Sequence, residues 1–264
     1  MSKRINKVFA DKKKKLVTFV TGGDPDQSTS QKILDTIINS GADIIEIGMP
    51  FSDPMADGPT IQLSSNRAIQ NGTNLDSIFD ICQNIRKTNN IIPIILMGYY
   101  NLILHYGIKK FTKKCSSIGV DGLIIVDLQP EEDSELFESI KSHNIDLIRL
   151  LTPTTTKKRI KIITSHASGF LYYVTITGIT GQKSANIEEL KNSIKIIREY
   201  SQLPVVAGFG INNQEQVKEI CKTTDGAVVG SSIVKIIENK LDEKDVAVEL
   251  IGTFVKNLKR GTSL

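Results

Sequence analysis

Long apolar runs are missing from this chain of 264 residues. The longest, such as 91–97, are too short to cross a bilayer, and the opening stretch MSKRINKVFADKKKK has no apolar segment of the kind a secretion signal needs. Both absences point to a cytoplasmic protein with no membrane partner. Cysteine is scarce as well. Cys82, Cys115 and Cys221 lie far apart, odd in number and without metal-ligand spacing, so they read as reduced thiols of core or surface. His105, His143 and His166 fall in helical patterns or at their ends. That leaves no grouped histidines for a metal and no Ser-His-Asp arrangement. A strong excess of one charge is also lacking, since 33 basic against 29 acidic residues give a net +4. The only dense basic block is Lys12, Lys13, Lys14 and Lys15. No aromatic residues alternate with it, as RNA-binding surfaces need, so it reads as the solvated end of a first helix. No nucleic-acid partner is expected.

What is present is strand and helix in turn. Runs rich in Val, Ile and Leu recur at 16–20, 43–48, 92–98, 120–127, 145–150, 170–175, 204–208 and 226–230. They are nearly continuous in apolar character instead of alternating, as parallel strands buried on both faces are. Between them, 28–40 sets Ile33, Ile37 and Ile38 on one helical face, and 187–200 does so with Leu190, Ile194 and Ile197. The stretch 131–143 opens after Pro130 with acids suited to a helix N-terminus. Gly41, Gly119 and Gly169 follow helical segments as C-terminal glycines do. Further helices are predicted over 2–11, over 60–70 and 75–87 in the longer insert after the second strand, and over 242–258. Eight strands with helices between them predict an α/β fold, a single (β/α)8 TIM barrel with an extra N-terminal helix and extra helices in its loops. The rival is a doubly wound open sheet, but no GxGxxG follows the first strand. No linker rich in Pro, Gly or Ser divides the chain, so residues 1–264 read as one domain.

In such a barrel the loops beyond the C-terminal ends of the strands form the active site. The last two runs end in Gly208-Phe209-Gly210 and Gly230-Ser231-Ser232, each leading into a predicted helix, from Asn212 and from Ile233 onward. With Gly178 and Gly181 after the sixth run, they predict a phosphate site. Glycine lets backbone N–H groups approach an anion, and a helix start attracts it. No run ends in the lysine that an imine-forming aldolase needs; Lys15 lies at the wrong end of the first.

Carboxylates remain. Alternation sets Glu46 with Ile44 and Gly48, opposite Ile45 and Ile47. An acid among apolar neighbours needs a partner or a purpose. Either it forms a salt bridge inside the barrel, or it transfers protons, helped by burial that favours its neutral form. Asp57 is a second acid-base candidate, or else a turn residue before Gly58-Pro59.

The segment IIEIGMPFSDPMADGPTIQ resembles the signature of tryptophan synthase α subunits. FVTGGDP, ILMGYYN, GVDGLIIVDLQPEE, FLYYVTITGITG, VVAGFGI and VVGSSIVK resemble the same family in order, over nearly the whole chain. The resemblance implies a lyase that splits indole-3-glycerol phosphate into indole and glyceraldehyde 3-phosphate. It implies that Glu46 is the general acid-base group and that Asp57 faces the indole nitrogen. Phe19 and Tyr172 would border the substrate, with Met97 and Ile124 at apolar positions of the indole pocket. Thr180 would orient Asp57 from a loop, 177–185, that closes as a lid, while Gly181, Gly210, Gly230 and Ser231 contact the phosphate.

By the same resemblance, Asp53 would touch a β subunit in an α2β2 tetramer. The pyridoxal phosphate of that assembly would belong to the β subunit, leaving no cofactor and no metal in this chain. Two other functions compete. Indole-glycerol phosphate synthase shares the barrel plan but needs catalytic lysines at strand ends. A non-catalytic activator of the β subunit would have no use for a buried acid.

Overall fold

A computed structural model describes residues 2–175, 183–208 and 210–263. Its strands are β1 (Lys15–Thr21), β2 (Ile44–Gly48), β3 (Ile94–Gly98), β4 (Gly122–Ile125), β5 (Asp146–Leu147), β6 (Arg149–Leu151), β7 (Leu171–Tyr173), β8 (Val205–Ala207) and β9 (Gly226–Val229). All pair in parallel, in the order β5-β4-β3-β2-β1-β9-β8-β7-β6. The fold is the expected TIM barrel.

One expected strand differs. The run 145–150 is divided at Ile148 into β5, which pairs only with β4, and β6, which pairs only with β7. Barrel closure staggers neighbouring strands, so a short strand meets each neighbour over a different part of its length. The Ile148 N–H still donates to Leu123 O at 2.9 Å, and its side chain joins the barrel interior. The two pieces are one stave.

Alternation sorts the side chains. Val17, Ile44, Ile95, Ile124, Ile148, Phe170, Val206 and Val228, one from each stave, fill an inner layer. The intervening residues, such as Leu16, Ile45, Ile47 and Leu96, pack outward against the helices. Helix α1 (Lys3–Phe9) closes the floor by inserting the fully buried Ile5, with Phe9 against Phe170 at 5.7 Å. Burying an isoleucine this way contributes about 1.5–3 kcal/mol.

The outer helices are α2 (Gln27–Asn39), α3 (Pro59–Gln70), α4 (Leu75–Thr88), α5 (Tyr100–Tyr106), α6 (Ile108–Ile118), α7 (Ser134–Ser142), α8 (Lys157–Ser165), α9 (Lys183–Tyr200), α10 (Gln214–Cys221), α11 (Ser231–Glu238) and α12 (Lys244–Arg260). Asp26, Asn74 and Asn213 cap α2, α4 and α10 by accepting from a backbone N–H of the first turn.

Three expectations need correction. The first helix does not span 2–11: Ser2 caps it, and it ends at Phe9. Of the four lysines, Lys12 and Lys13 are exposed just beyond its end, and only Lys14 and Lys15 depart from the expected solvated run. Lys14 donates to Thr224 O at 2.6 Å, and Lys15 is buried as the first residue of β1, paired with Asp11. Strand pairing wins there, because Lys15 sits opposite Gly226 of β9. Second, the helix expected over 131–143 begins at Ser134. Pro130 first opens a 3-10 turn (Pro130–Glu132), and the Asp133 carboxylate pairs with Arg149 instead of capping. Third, the helices expected from Asn212 and Ile233 start at Gln214 and Ser231.

Candidate active site

The inward face that carries the inner layer continues one step higher, toward the C-terminal ends of the strands. Two residues past Val17, Ile44, Ile95, Ile124, Ile148 and Phe170 come Phe19, Glu46, Met97, Val126, Leu150 and Tyr172. These six line a cavity of about 340 Å3 at the barrel mouth. Asp57, Gly210, Gly230 and Ser231 line it as well. Ile124 does not; it lies one layer lower, and Val126 takes the apolar position expected for it.

Glu46 is wholly buried, and neither carboxylate oxygen has a hydrogen-bond partner among the described residues. Of the two possibilities left open by the sequence, the salt bridge is therefore not seen. Desolvation pushes its pKa up to about 8. A carboxyl group in that range can both give and take a proton near neutrality. Tyr172 stands close enough for the Glu46 charge to add to burial in raising its phenol, and its hydroxyl donates to Gly208 O at 3.4 Å.

Asp57 reaches the cavity from the loop between β2 and α3. Its N–H donates to Pro54 O at 3.0 Å, so it is part of a turn as well as of the cavity wall. Burial raises its pKa, and a hydrogen bond from Tyr99 Oη at 3.0 Å works against that rise. Helix α3 holds this loop in place. Arg67 grips the buried Asp24 with two bonds of 2.8 and 2.9 Å, and Ser64 meets Thr21 of β1 at 2.5 Å.

Across the cavity, Gly210 has φ +68°, a backbone conformation that glycine adopts without strain, and Gly230 immediately precedes α11. The Ser232 hydroxyl donates to Ile211 O at 2.6 Å and so ties the two glycine turns together. A Cβ on Gly230 would stand 3.1 Å from the Phe19 Cβ, so bare backbone lines this side. Helix α11 starts at Ser231, which points its first-turn N–H groups and its positive dipole end this way.

Asp53 is exposed in the loop after β2, accepting from the Ser52 hydroxyl at 2.5 Å, and does not line the cavity. Thr180, Gly181 and positions 177–182 of the expected lid lie outside the described residues; 183–185 open α9. Ile61, Val126, Leu150 and Ile211 are among the further wall residues and were not singled out from the sequence. Val126 and Leu150 could have been found by counting two residues up from Ile124 and Ile148. Ile61 could not, because it comes from a helix. His105, His143 and His166 lie in α5 or cap the ends of α7 and α8, and none lines the cavity. Among the described residues no three His, Cys, Asp or Glu side chains gather as a metal site, and no helix is long and apolar enough to cross a membrane.

An eight-stave parallel barrel with its cavity at the C-terminal mouth belongs to the class of TIM-barrel enzymes. Comparison with known proteins narrows the class. Residues 5–263 match the family model described as tryptophan synthase alpha chain. The tryptophan synthase alpha chain of Geobacter sp. (strain M21) is 45% identical over 262 residues, covering 98% of this chain and 97% of that one. The alpha chain of Geobacter sulfurreducens is 46% identical over 263 residues, covering 97% of each. The crystal structure of tryptophan synthase subunit alpha from Legionella pneumophila str. Paris superposes with a TM-score of 0.90 at 33% identity, covering 99% of this chain and 98% of that one. The chain belongs to the tryptophan synthase alpha chain family. The α subunit is a lyase that cleaves indole-3-glycerol phosphate in tryptophan synthesis.

Proposed function

We propose that Glu46 and Asp57 divide the proton work of that cleavage at the barrel mouth. Breaking the bond between the indole ring and its glycerol side chain requires a leaving group that is a ring carbon. Glu46, kept protonated by burial, gives its proton to that carbon. Positive character then spreads to the ring nitrogen, where the Asp57 carboxylate accepts the N–H and stabilises it. The Glu46 carboxylate next takes the proton of the side-chain hydroxyl. The carbon–carbon bond breaks, its electron pair returns to the ring, and the side chain leaves as an aldehyde. Glu46 ends protonated, ready for another cycle.

Phe19, Met97 and Tyr172 enclose the indole, and Gly210, Gly230 and Ser231 serve the phosphate end. By the family resemblance, Gly181 adds to the phosphate contact and Thr180 orients Asp57. Binding energy at the phosphate can then orient the distant reacting bond. The observation that carries this proposal is the wholly buried, unpartnered Glu46 carboxylate at the wall of a largely apolar cavity that it shares with Asp57.

Membership of an alpha chain family implies a β-chain partner. We take the assembly to be α2β2, with Asp53 on the contacting side, pyridoxal phosphate held by the β chain and no cofactor in this one. Residues 1–264 act as one domain, in the cytoplasm. The test supplies indole-3-glycerol phosphate to the purified chain and measures indole with and without a β chain. Weak release alone and strong stimulation by the partner are expected. No indole under either condition would end the proposal.

A further inference from the structure

We propose that Tyr99 is a positioning residue for the reaction: its hydroxyl, held between the Ala56 N–H and the Asp57 carboxylate, fixes which Asp57 oxygen is left to meet the substrate. This inference rests on the role proposed above for Asp57. Tyr99 directly follows β3 and forms the N-terminal boundary of α5, so its backbone is set by the barrel itself. Its side chain is only 3% exposed and stacks on Phe51, with ring centroids 5.1 Å apart at 27°.

The phenol oxygen accepts from the Ala56 N–H at 3.0 Å and donates to Asp57 Oδ2 at 3.0 Å. A phenol has a single proton to give. With Ala56 donating to the oxygen, that proton goes to Oδ2. Among the described residues nothing donates to Oδ1, and Asp57 lines the cavity while Tyr99 does not. Tyr99 therefore acts through Asp57 and not on the substrate.

The charges around this relay are few. Asp127, just beyond β4, and Asp57 face Tyr99, and Glu46 shares the cavity with Asp57. Burial and the two aspartates hold the phenol far above its ordinary pKa, so it remains a donor wherever the enzyme works. Its donated bond favours the ionised form of Asp57, against burial. That form is the one able to accept the ring N–H.

The experiment compares Tyr99→Phe, Asp57→Asn and the double variant with the unaltered chain. It measures indole release from indole-3-glycerol phosphate across pH, with thermal melting as a control for folding. Tyr99→Phe keeps the ring and its stacking on Phe51. We expect kcat to fall about tenfold, the loss that goes with one hydrogen bond to a charged acceptor, with KM little changed. The acid limb of the kcat/KM profile should move to higher pH, because Asp57 loses the donor that lowers its pKa. The double variant should be no slower than Asp57→Asn alone, since Tyr99 then has nothing to position.

An unmoved acid limb, or a double variant slower than Asp57→Asn by the full Tyr99→Phe factor, overturns the Tyr99 proposal while leaving Asp57 in the mechanism. Near-normal turnover in Asp57→Asn removes the role of Asp57, and the Tyr99 proposal with it.

Discussion

The two ends of the barrel treat buried charge in opposite ways. At the floor, Asp121 is almost fully buried and saturated. It accepts from Ser2 Oγ at 2.6 Å, Arg4 at 3.1 Å, Arg86 at 2.7 Å and the Ile94 N–H at 2.9 Å. Its neighbour Asp146 accepts from the Ser2 N–H through Oδ2 at 2.9 Å, while its Oδ1 has no partner among the described residues, so Asp146 is half satisfied where Glu46 has no bond at all. At the mouth, Glu46 is as deeply buried and bonded to nothing described. The floor is closed by Ile5, whereas the mouth holds the cavity. A buried charge with partners holds structure together. A buried acid without them weakens the fold and is free for chemistry.

Glu46→Gln should show the contrast most strongly. Turnover is expected to fall about a thousandfold, with substrate-analogue affinity nearly unchanged, as steady-state kinetics and equilibrium binding can measure. The same change should flatten the dependence of stability on pH. In the native chain Glu46 holds its proton up to about 8, whereas the unfolded chain releases it near 4.5. The native state thus binds more protons in that window, and its stability falls as pH rises from 4.5 toward 8, then levels off. The drop is on the order of a few kcal/mol. Denaturant unfolding of both chains at pH 5 and pH 8 measures it; equal slopes in the two would mean that Glu46 is not neutral in the fold.

Asp121→Ala should do the reverse, removing about 3–5 kcal/mol of stability by leaving Arg86 without its partner. The kcat/KM of the molecules that stay folded should hold. Chemical denaturation with an active-site titration separates the two quantities, and a loss of kcat/KM would show that floor and mouth are coupled. Ile5→Ala should destabilise by about 3 kcal/mol through the void it leaves under the inner layer, again with unaltered kinetics. The smallest change is expected from Gly230→Ala at the mouth. Its Cβ would crowd Phe19 by about 1 kcal/mol, raising KM several-fold with kcat nearly kept. A kcat effect larger than the KM effect would place Gly230 nearer the reacting bond than proposed.

Much of this contrast was legible in the sequence at the mouth, and little of it at the floor. Alternation along 44–48 put Glu46 on the face of Ile44, and the structure has Ile44 inside the barrel with Ile45 and Ile47 outside. Strand-end glycines marked the turns now seen beside the cavity. The strand positions followed from nearly unbroken apolar runs, which only parallel strands covered on both faces require. Tyr99 gave no such signal, since its hydroxyl acts between two atoms brought near by a separate loop. The floor network was hidden for the same reason. Ser2 and Arg4 at the start of α1, Arg86, Asp121 and Asp146 come from four segments, and no local spacing links those segments. The division of the fifth stave depends on the stagger of its neighbours and has no counterpart in residue pattern.

The way the sheet closes also sets an order of events during synthesis. β1 pairs with β2 within some 30 positions, but its other edge must wait for β9, where Lys15 lies opposite Gly226. Ser2, likewise, finds Asp146 across a separation of 144 residues. Contacts between such distant positions carry a large loop-closure penalty and form late. As the ribosome releases this chain, its earliest strand spends most of the translation time with one ladder unmade, open to pairing with a stray edge from another nascent chain. The strand that emerges first is completed last.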